Sequence, residues 1–121
     1  MERTAVLVDD HADVLKLLGQ CFTEDGFTIH SANSGFELMK LVREGKLQPD
    51  VVILDFMMPD RSGLDLLSIV RSFWTKAKII FYTAHDGPIL QQLKVNADAV
   101  VSKTTSMEKL VALSNELIES A

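Results

Sequence analysis

The sequence predicts an α/β domain built on a doubly wound, five-stranded parallel sheet with five helices. Short apolar runs alternate five times with segments whose apolar residues recur at helical spacing. That alternation implies a parallel sheet covered by helices on both faces, joined by right-handed crossovers. One run, Val51-Val52-Ile53-Leu54, is apolar at every position, as expected of a strand buried on both sides. The chain has 121 residues, 47% hydrophobic and 24% charged. This is the size and make-up of one globular domain, which buries about two-thirds of its unfolded surface and needs no disulfide or metal staple. The expectation is a single domain over residues 1–121 with no output segment inside it.

Residues 4–8 (TAVLV) are apolar and rich in β-branched side chains, so they read as the first strand, ended by Asp9-Asp10. From Asp13, the expected cap, the period becomes helical, with Val14, Leu15, Leu17, Leu18, Cys21 and Phe22 on one face and Gly26 in the C′ position. Residues 27–32 alternate as a second strand. Asn33-Ser34 can cap a helix over 35–44 that turns Leu38, Leu41 and Val42 inward and closes at Gly45. The run 51–54 is the third strand and ends at Asp55. A loop, Met57-Met58-Pro59-Asp60-Arg61-Ser62-Gly63, leads to a helix over 64–73 with Leu66, Leu67, Ile69 and Val70 inward. Residues 79–82 form the fourth strand, ended by Thr83. Asp86-Gly87-Pro88 opens a fourth helix, with Asp86 as cap and Pro88 in the first turn. Residues 99–101 form the fifth strand, followed by Lys103. Ser106 starts the last helix, which runs through Leu110, Val111, Leu113, Leu117 and Ile118.

Composition narrows the functional classes. The 17 acidic against 12 basic residues give a net charge of −5, which disfavours direct nucleic-acid binding, because phosphate contacts are made by Lys and Arg. The single cysteine, Cys21, excludes an internal disulfide and a Cys-based zinc site and suits a reducing compartment. No apolar run approaches a membrane-spanning length, and Met1-Glu2-Arg3 leads straight into a strand. The expectation is a cytoplasmic chain with neither a membrane segment nor a signal peptide.

In a doubly wound sheet, ligands bind where the strands present their carboxyl ends. At those ends stand Asp9-Asp10, Asp55, Thr83 and Lys103, with only Asn33-Ser34 after the second strand. Singly, each has an ordinary reading: Asp as a helix cap or loop residue, Thr as a strand end, Lys as a surface cation. Together they would have to share one edge by accident. Three neighbouring carboxylates repel one another, and a hard divalent cation such as Mg²⁺ relieves that. An ammonium and a hydroxyl suit phosphoryl oxygens, and a carboxylate can be the nucleophile of phosphoryl transfer, giving an aspartyl phosphate.

Asp9-Asp10, the VVILD run ending in Asp55, Pro59, Gly63, Thr83 and Lys103, in this order along the whole chain, resemble the receiver domains of two-component response regulators. The resemblance implies a flavodoxin-like sheet of order 2-1-3-4-5 and a phosphoacceptor signalling domain. It implies that Asp55 takes phosphate from a phosphohistidine on a sensor kinase or phosphotransfer protein. Asp10 and Asp55, with the backbone carbonyl of Met57, resemble the direct ligands of Mg²⁺ (or Mn²⁺), and Asp9 the further acidic residue of that metal site, acting largely through water. Thr83 resembles the switch hydroxyl and Lys103 the phosphoryl counter-ion. A downstream protein reads the changed surface; membrane and direct nucleic-acid partners are not implied.

Four positions depart from the family pattern or vary within it. Val100 stands where an aromatic switch residue is usual, three before the lysine. Thr104 stands where a proline with a cis bond is frequent, and a cis bond before a non-proline costs about 3–4 kcal/mol. Met57 and His85 occupy variable positions beside the phosphoryl site, with the small Ala84 between Thr83 and His85.

Two other readings are weighed. Haloacid-dehalogenase-like phosphatases also carry an aspartate nucleophile at a strand end, but they need a second aspartate two residues on, where this chain has Met57. A receiver-like module used only for interaction has the missing aromatic in its favour and the full set of acid, hydroxyl and ammonium side chains against it.

Overall fold

The computed structural model describes residues 2–84 and 88–120. The chain runs β1 (Arg3–Val8), α1 (Ala12–Glu24), β2 (Phe27–Ala32), α2 (Gly35–Glu44), β3 (Val51–Leu54), α3 (Gly63–Phe73), β4 (Lys78–Thr83), α4 (Ile89–Asn96), β5 (Ala99–Ser102) and α5 (Met107–Glu119). The strands form one sheet of order β2-β1-β3-β4-β5, and every pairing is parallel.

Alternate side chains of the central strands go to opposite faces, as the strand period requires. Val6, Val8, Val52, Leu54, Ile79 and Phe81 pack with Leu38 and Val42 of α2, Leu66, Leu67 and Val70 of α3, and Leu93 of α4. Ala5, Leu7, Val51, Ile53, Ile80 and Tyr82 pack with Leu18 and Phe22 of α1 and with Leu110 and Val111 of α5. All four residues of β3 are buried, as its uninterrupted apolar run predicted. Trp74 is buried between the end of α3 and the start of β4, its carbonyl accepting from the Ala77 N–H at 3.1 Å. It therefore lies at the amino end of β4.

Register places the chemistry. Val8 is level with both Ala32 and Leu54, and Leu54 with Phe81. The next residues out of β1 and β3 are Asp9 and Asp55, so both carboxylates leave the same edge. Thr83 pairs with Ser102, which puts Lys103 beside them. Backbone bonds continue past the strands, from Asp9 N–H to Ala32 O (3.2 Å), Asp55 N–H to Val8 O (3.0 Å) and Lys103 N–H to Thr83 O (3.0 Å).

The local signals hold in most places. Ser34, Ser62 and Ser106 each cap a helix by accepting the N–H of the third residue on. Gly26 and Gly45 follow α1 and α2 with φ of 98° and 68°, the left-handed region that glycine enters at no steric cost. Three expectations are corrected. Asp13 does not cap α1: the N-cap is His11, which makes no side-chain cap bond, and Asp13 lies in the first turn, where a carboxylate still favours the helix dipole. Leu17 is 51% exposed, because the buried stripe is Leu18, Gly19 and Phe22 and adjacent helical residues are turned about 100° apart. Pro88 is the N-cap of α4 and not a first-turn residue; Asp86, expected as that cap, lies outside the described residues. No helix among the described residues is long and apolar enough to cross a membrane.

Candidate functional site

The carboxyl edge of the sheet gathers the residues read from the sequence. Asp9 is 1% exposed and Asp55 4%, and one ammonium joins them: Lys103 Nζ lies 2.7 Å from Asp9 Oδ2 and 3.2 Å from Asp55 Oδ2. The other oxygen of Asp55 accepts the Met57 N–H at 3.3 Å. Asp10 is turned to solvent. One ligating atom from each of Asp9, Asp10, His11 and Asp55 lies within 4.8 Å of all the others. Thr83 is buried beside the site, at 2% exposure. Met57 is exposed, and its backbone bridges to Ser62 across the loop.

His11 belongs to this cluster and was not singled out from the sequence. Its N–H donates to Asp9 Oδ1 at 2.9 Å, and its ring Nδ1 lies 2.9 Å from the same oxygen and 3.2 Å from Asp10 Oδ1. The readable signal was a histidine directly after two strand-end acids. What directs it to Asp9 is the turn into α1, which needs a partner for the N-cap N–H.

The electrostatics follow from three carboxylates and one ammonium at a partly dry edge. Burial holds the Asp55 carboxyl above its ordinary pKa, and the neighbouring Asp9 raises it further. Lys103 and the Met57 N–H offset only part of this. Burial alone would lower Lys103; its hydrogen bond to Asp9 and the attraction of both carboxylates reverse that, so its pKa is raised. His11 is raised by its hydrogen bond to Asp9, then by the charges of Asp10 and Asp9. Such an edge is short of positive charge and offers hard carboxylate oxygens, the donor type that Mg²⁺ selects.

The loop from β3 to α3 is built to hold this geometry. Gly63 N–H donates to Phe56 O at 3.1 Å. A Cβ on Gly63 would stand 2.8 Å from Phe56 Cδ1 and 2.9 Å from both Phe56 Cα and Phe81 Cε1; only glycine lets α3 start so close to the residue after Asp55. Phe56 meets Phe81 edge-on, with ring centroids 6.4 Å apart. Asp60 grips the start of α2, accepting the N–H groups of Gly35 and Phe36, each at 2.9 Å. Those two bonds hold its carboxyl below its ordinary pKa.

The departures are also placed. Val100 is level with Phe81 in the sheet and packs half-buried against the α2–α4 core. No peptide bond among the described residues is cis, so the bond into Thr104 is trans, in keeping with the cost of the alternative for a non-proline. The loop is tied instead by Ser102 Oγ, 2.8 Å from Thr104 Oγ1 and accepting the Thr104 N–H at 3.1 Å. His85 lies outside the described residues.

Comparison with known proteins agrees with this architecture. The family model described as the response regulator receiver domain matches residues 5–115. A CheY-like response regulator receiver domain protein from Methanospirillum hungatei JF-1 superposes with a TM-score of 0.89 at 20% identity, covering 99% of this chain and 96% of that one. A response regulator from Burkholderia pseudomallei, solved with a phosphorylated aspartic acid, a calcium ion and citrate, gives 0.82 at 20% identity over 98% of this chain and 72% of that one. A DNA-binding response regulator of the LuxR family from Staphylococcus aureus gives 0.85 at 31% identity over 96% and 98%. With that family match spanning nearly the whole chain, and the acidic edge in place, the chain belongs to the receiver domains of two-component response regulators.

Proposed function

We propose that this domain accepts a phosphoryl group on Asp55 from a phosphohistidine of a sensor kinase or phosphotransfer protein, and that the modified domain is read by a downstream protein. The observation that carries this is the Lys103 ammonium set between the two buried carboxylates, 2.7 Å from Asp9 and 3.2 Å from Asp55. An Asp55 oxygen attacks phosphorus, the P–N bond breaks, and the leaving imidazole nitrogen keeps the bonding electron pair. Lys103 stands ready to pair with the phosphoryl oxygens while remaining bonded to Asp9, and Asp9 is held in turn by His11. Thr83, buried one strand away, is the hydroxyl that engages the phosphoryl group.

The acidic donor set fits Mg²⁺ (or Mn²⁺), which Asp9, Asp10, Asp55 and the Met57 carbonyl would hold, neutralising the charge that gathers on the transferring group. The phosphorylated aspartate and calcium ion of the Burkholderia pseudomallei relative support this reading. The domain acts as a phosphoacceptor, not as a catalyst that turns over a separate substrate; the proposed setting is the cytoplasm. Its net charge of −5 gives no support to direct nucleic-acid contact by this domain. Val100 favours one variant of this reading, in which phosphorylation changes the partner surface only weakly.

Intact-mass spectrometry after incubation with acetyl phosphate and Mg²⁺ tests the proposal. One added phosphate on the wild type and none on Asp55→Asn is expected; equal labelling of the two would refute it.

A further inference from the structure

Lys103 reaches the site from a loop, and a long flexible side chain performs a point-charge role only if its backbone is fixed. Two groups of β4 fix it. On one side the Lys103 N–H donates to Thr83 O at 3.0 Å. On the other is Tyr82, one residue before Thr83 and facing the opposite side of the sheet. Its ring is 3% exposed, in the core made with α1 and α5. A buried phenol must find a hydrogen-bond partner, and this one finds the loop after Lys103: Oη donates to Thr105 O at 3.0 Å, with Lys103 O further off at 3.5 Å. The loop's remaining ties, from the Thr105 N–H to Ser102 O (2.9 Å) and around Ser102 Oγ, are local. The hydrogen bonds of Lys103 N–H, Lys103 Nζ and Tyr82 Oη tie residues 103–105 to the rest of the fold.

We propose that Tyr82 is a positioning residue for Lys103: its phenol holds the β5–α5 loop so that the ammonium is already in place when a phosphoryl group arrives at Asp55. This rests on the reading of Asp55 as phosphoacceptor. Burial raises the phenol pKa, and the nearby Lys103 offsets only part of that, so Oη remains a donor at neutral pH. Tyr82 Oη bonds to loop carbonyls and not to a carboxylate, so its removal should slow phosphoryl transfer, which uses the Lys103 ammonium, far more than it weakens cation binding.

Tyr82→Phe keeps the ring and its packing and removes one hydrogen bond. The variant is compared with the wild type in three measurements: the rate of labelling by acetyl phosphate with Mg²⁺, Mg²⁺ affinity followed through the Asp10 amide resonance, and the Lys103 side-chain resonances. Labelling should slow by roughly three- to tenfold, the effect of one neutral hydrogen bond. Mg²⁺ affinity should stay within about twofold, and the paired Lys103 methylene protons should move toward averaged shifts. Equal labelling rates and unchanged Lys103 resonances in a labelled wild type would overturn the positioning role and leave the phosphoacceptor reading intact. A Mg²⁺ affinity that fell by the same factor as the labelling rate would also overturn it, as a general loosening of the edge. A wild type that takes no phosphate on Asp55 would overturn both.

Discussion

Replacing Gly63 by alanine tests how closely α3 is fitted to Phe56, the residue after Asp55. The new Cβ would lie 2.8 Å from Phe56 Cδ1 and 2.9 Å from Phe56 Cα and Phe81 Cε1, against ordinary carbon contacts of about 3.5–4.0 Å. The phenyl carbons can tilt, but Phe56 Cα is backbone, one residue beyond Asp55, and cannot move without shifting the exit of β3. Overpacking of this kind costs about 1–3 kcal/mol. Alanine's better helix propensity returns at most about 1 kcal/mol, and less at the first helical position. The net loss is about 1–2 kcal/mol, or roughly 3–10 °C in Tm for a domain of this length. Gly35→Ala is the control. There the three nearest atoms to the Cβ would all be side-chain carbons of exposed Arg61, at 3.1 to 3.2 Å, which can swing aside, so the change should stay within about 0.5 kcal/mol. Urea and thermal melts of both variants decide the matter. Labelling of Asp55 should slow in Gly63→Ala alone, because Phe56 is displaced. A Gly63→Ala protein as stable as Gly35→Ala would refute the argument that the approach of α3 to Phe56 is sterically set.

Three further outcomes are expected. The Gly35 and Phe36 amide protons, bonded to Asp60, should keep their shifts above the unfolded carboxylate value of about 3.9. They should move as pH falls through the lowered folded pKa, since the grip is lost on protonation; flat shifts down to acid unfolding, or the same titration in Asp60→Asn, would exclude the carboxylate as cause. Trp74 fluorescence should change little on adding Mg²⁺, because the 11 residues of α3 carry it about 16 Å from the start of the helix, to the amino end of β4; a large saturable quench would contradict that placement. With beryllofluoride, amide shifts should concentrate near Asp55 and after Thr83. Val100 has no ring to swing and is stiff at χ1, and changes across β5 and α5 as large as those at Asp55 would show that an aromatic is not needed there.

The candidate site residues were legible because they end strands. Asp9, Asp55, Thr83 and Lys103 each interrupt an apolar run, and alternating strands and helices put every such interruption on one edge. The helix caps at Ser34 and Ser106 and the glycines at 26 and 45 follow from equally local signals, whereas the sheet order came from the family resemblance and the cap at Ser62, read as part of a loop, came from the structure. Where the reading missed, a local rule met a longer-range demand. Asp13 looked like a cap, but the chain entering α1 is held by Asp9 through His11. Leu17 fitted the helical period, but the stripe facing the sheet is narrower than the run of apolar residues.

By itself the sequence determined which side chains stand at the carboxyl edge, because period and polarity are properties of neighbouring residues. Only the tertiary structure decided how those side chains pair. One ammonium shared by Asp9 and Asp55, the grip of Asp60 on α2 and the reach of Tyr82 to Thr105 all join residues far apart along the chain: 48 positions for Lys103 and Asp55, 25 for Asp60 and Gly35, 23 for Tyr82 and Thr105. Such contacts are set by strand register and loop closure to within an ångström, and a hydrogen bond or a steric clash forms or fails over that same distance.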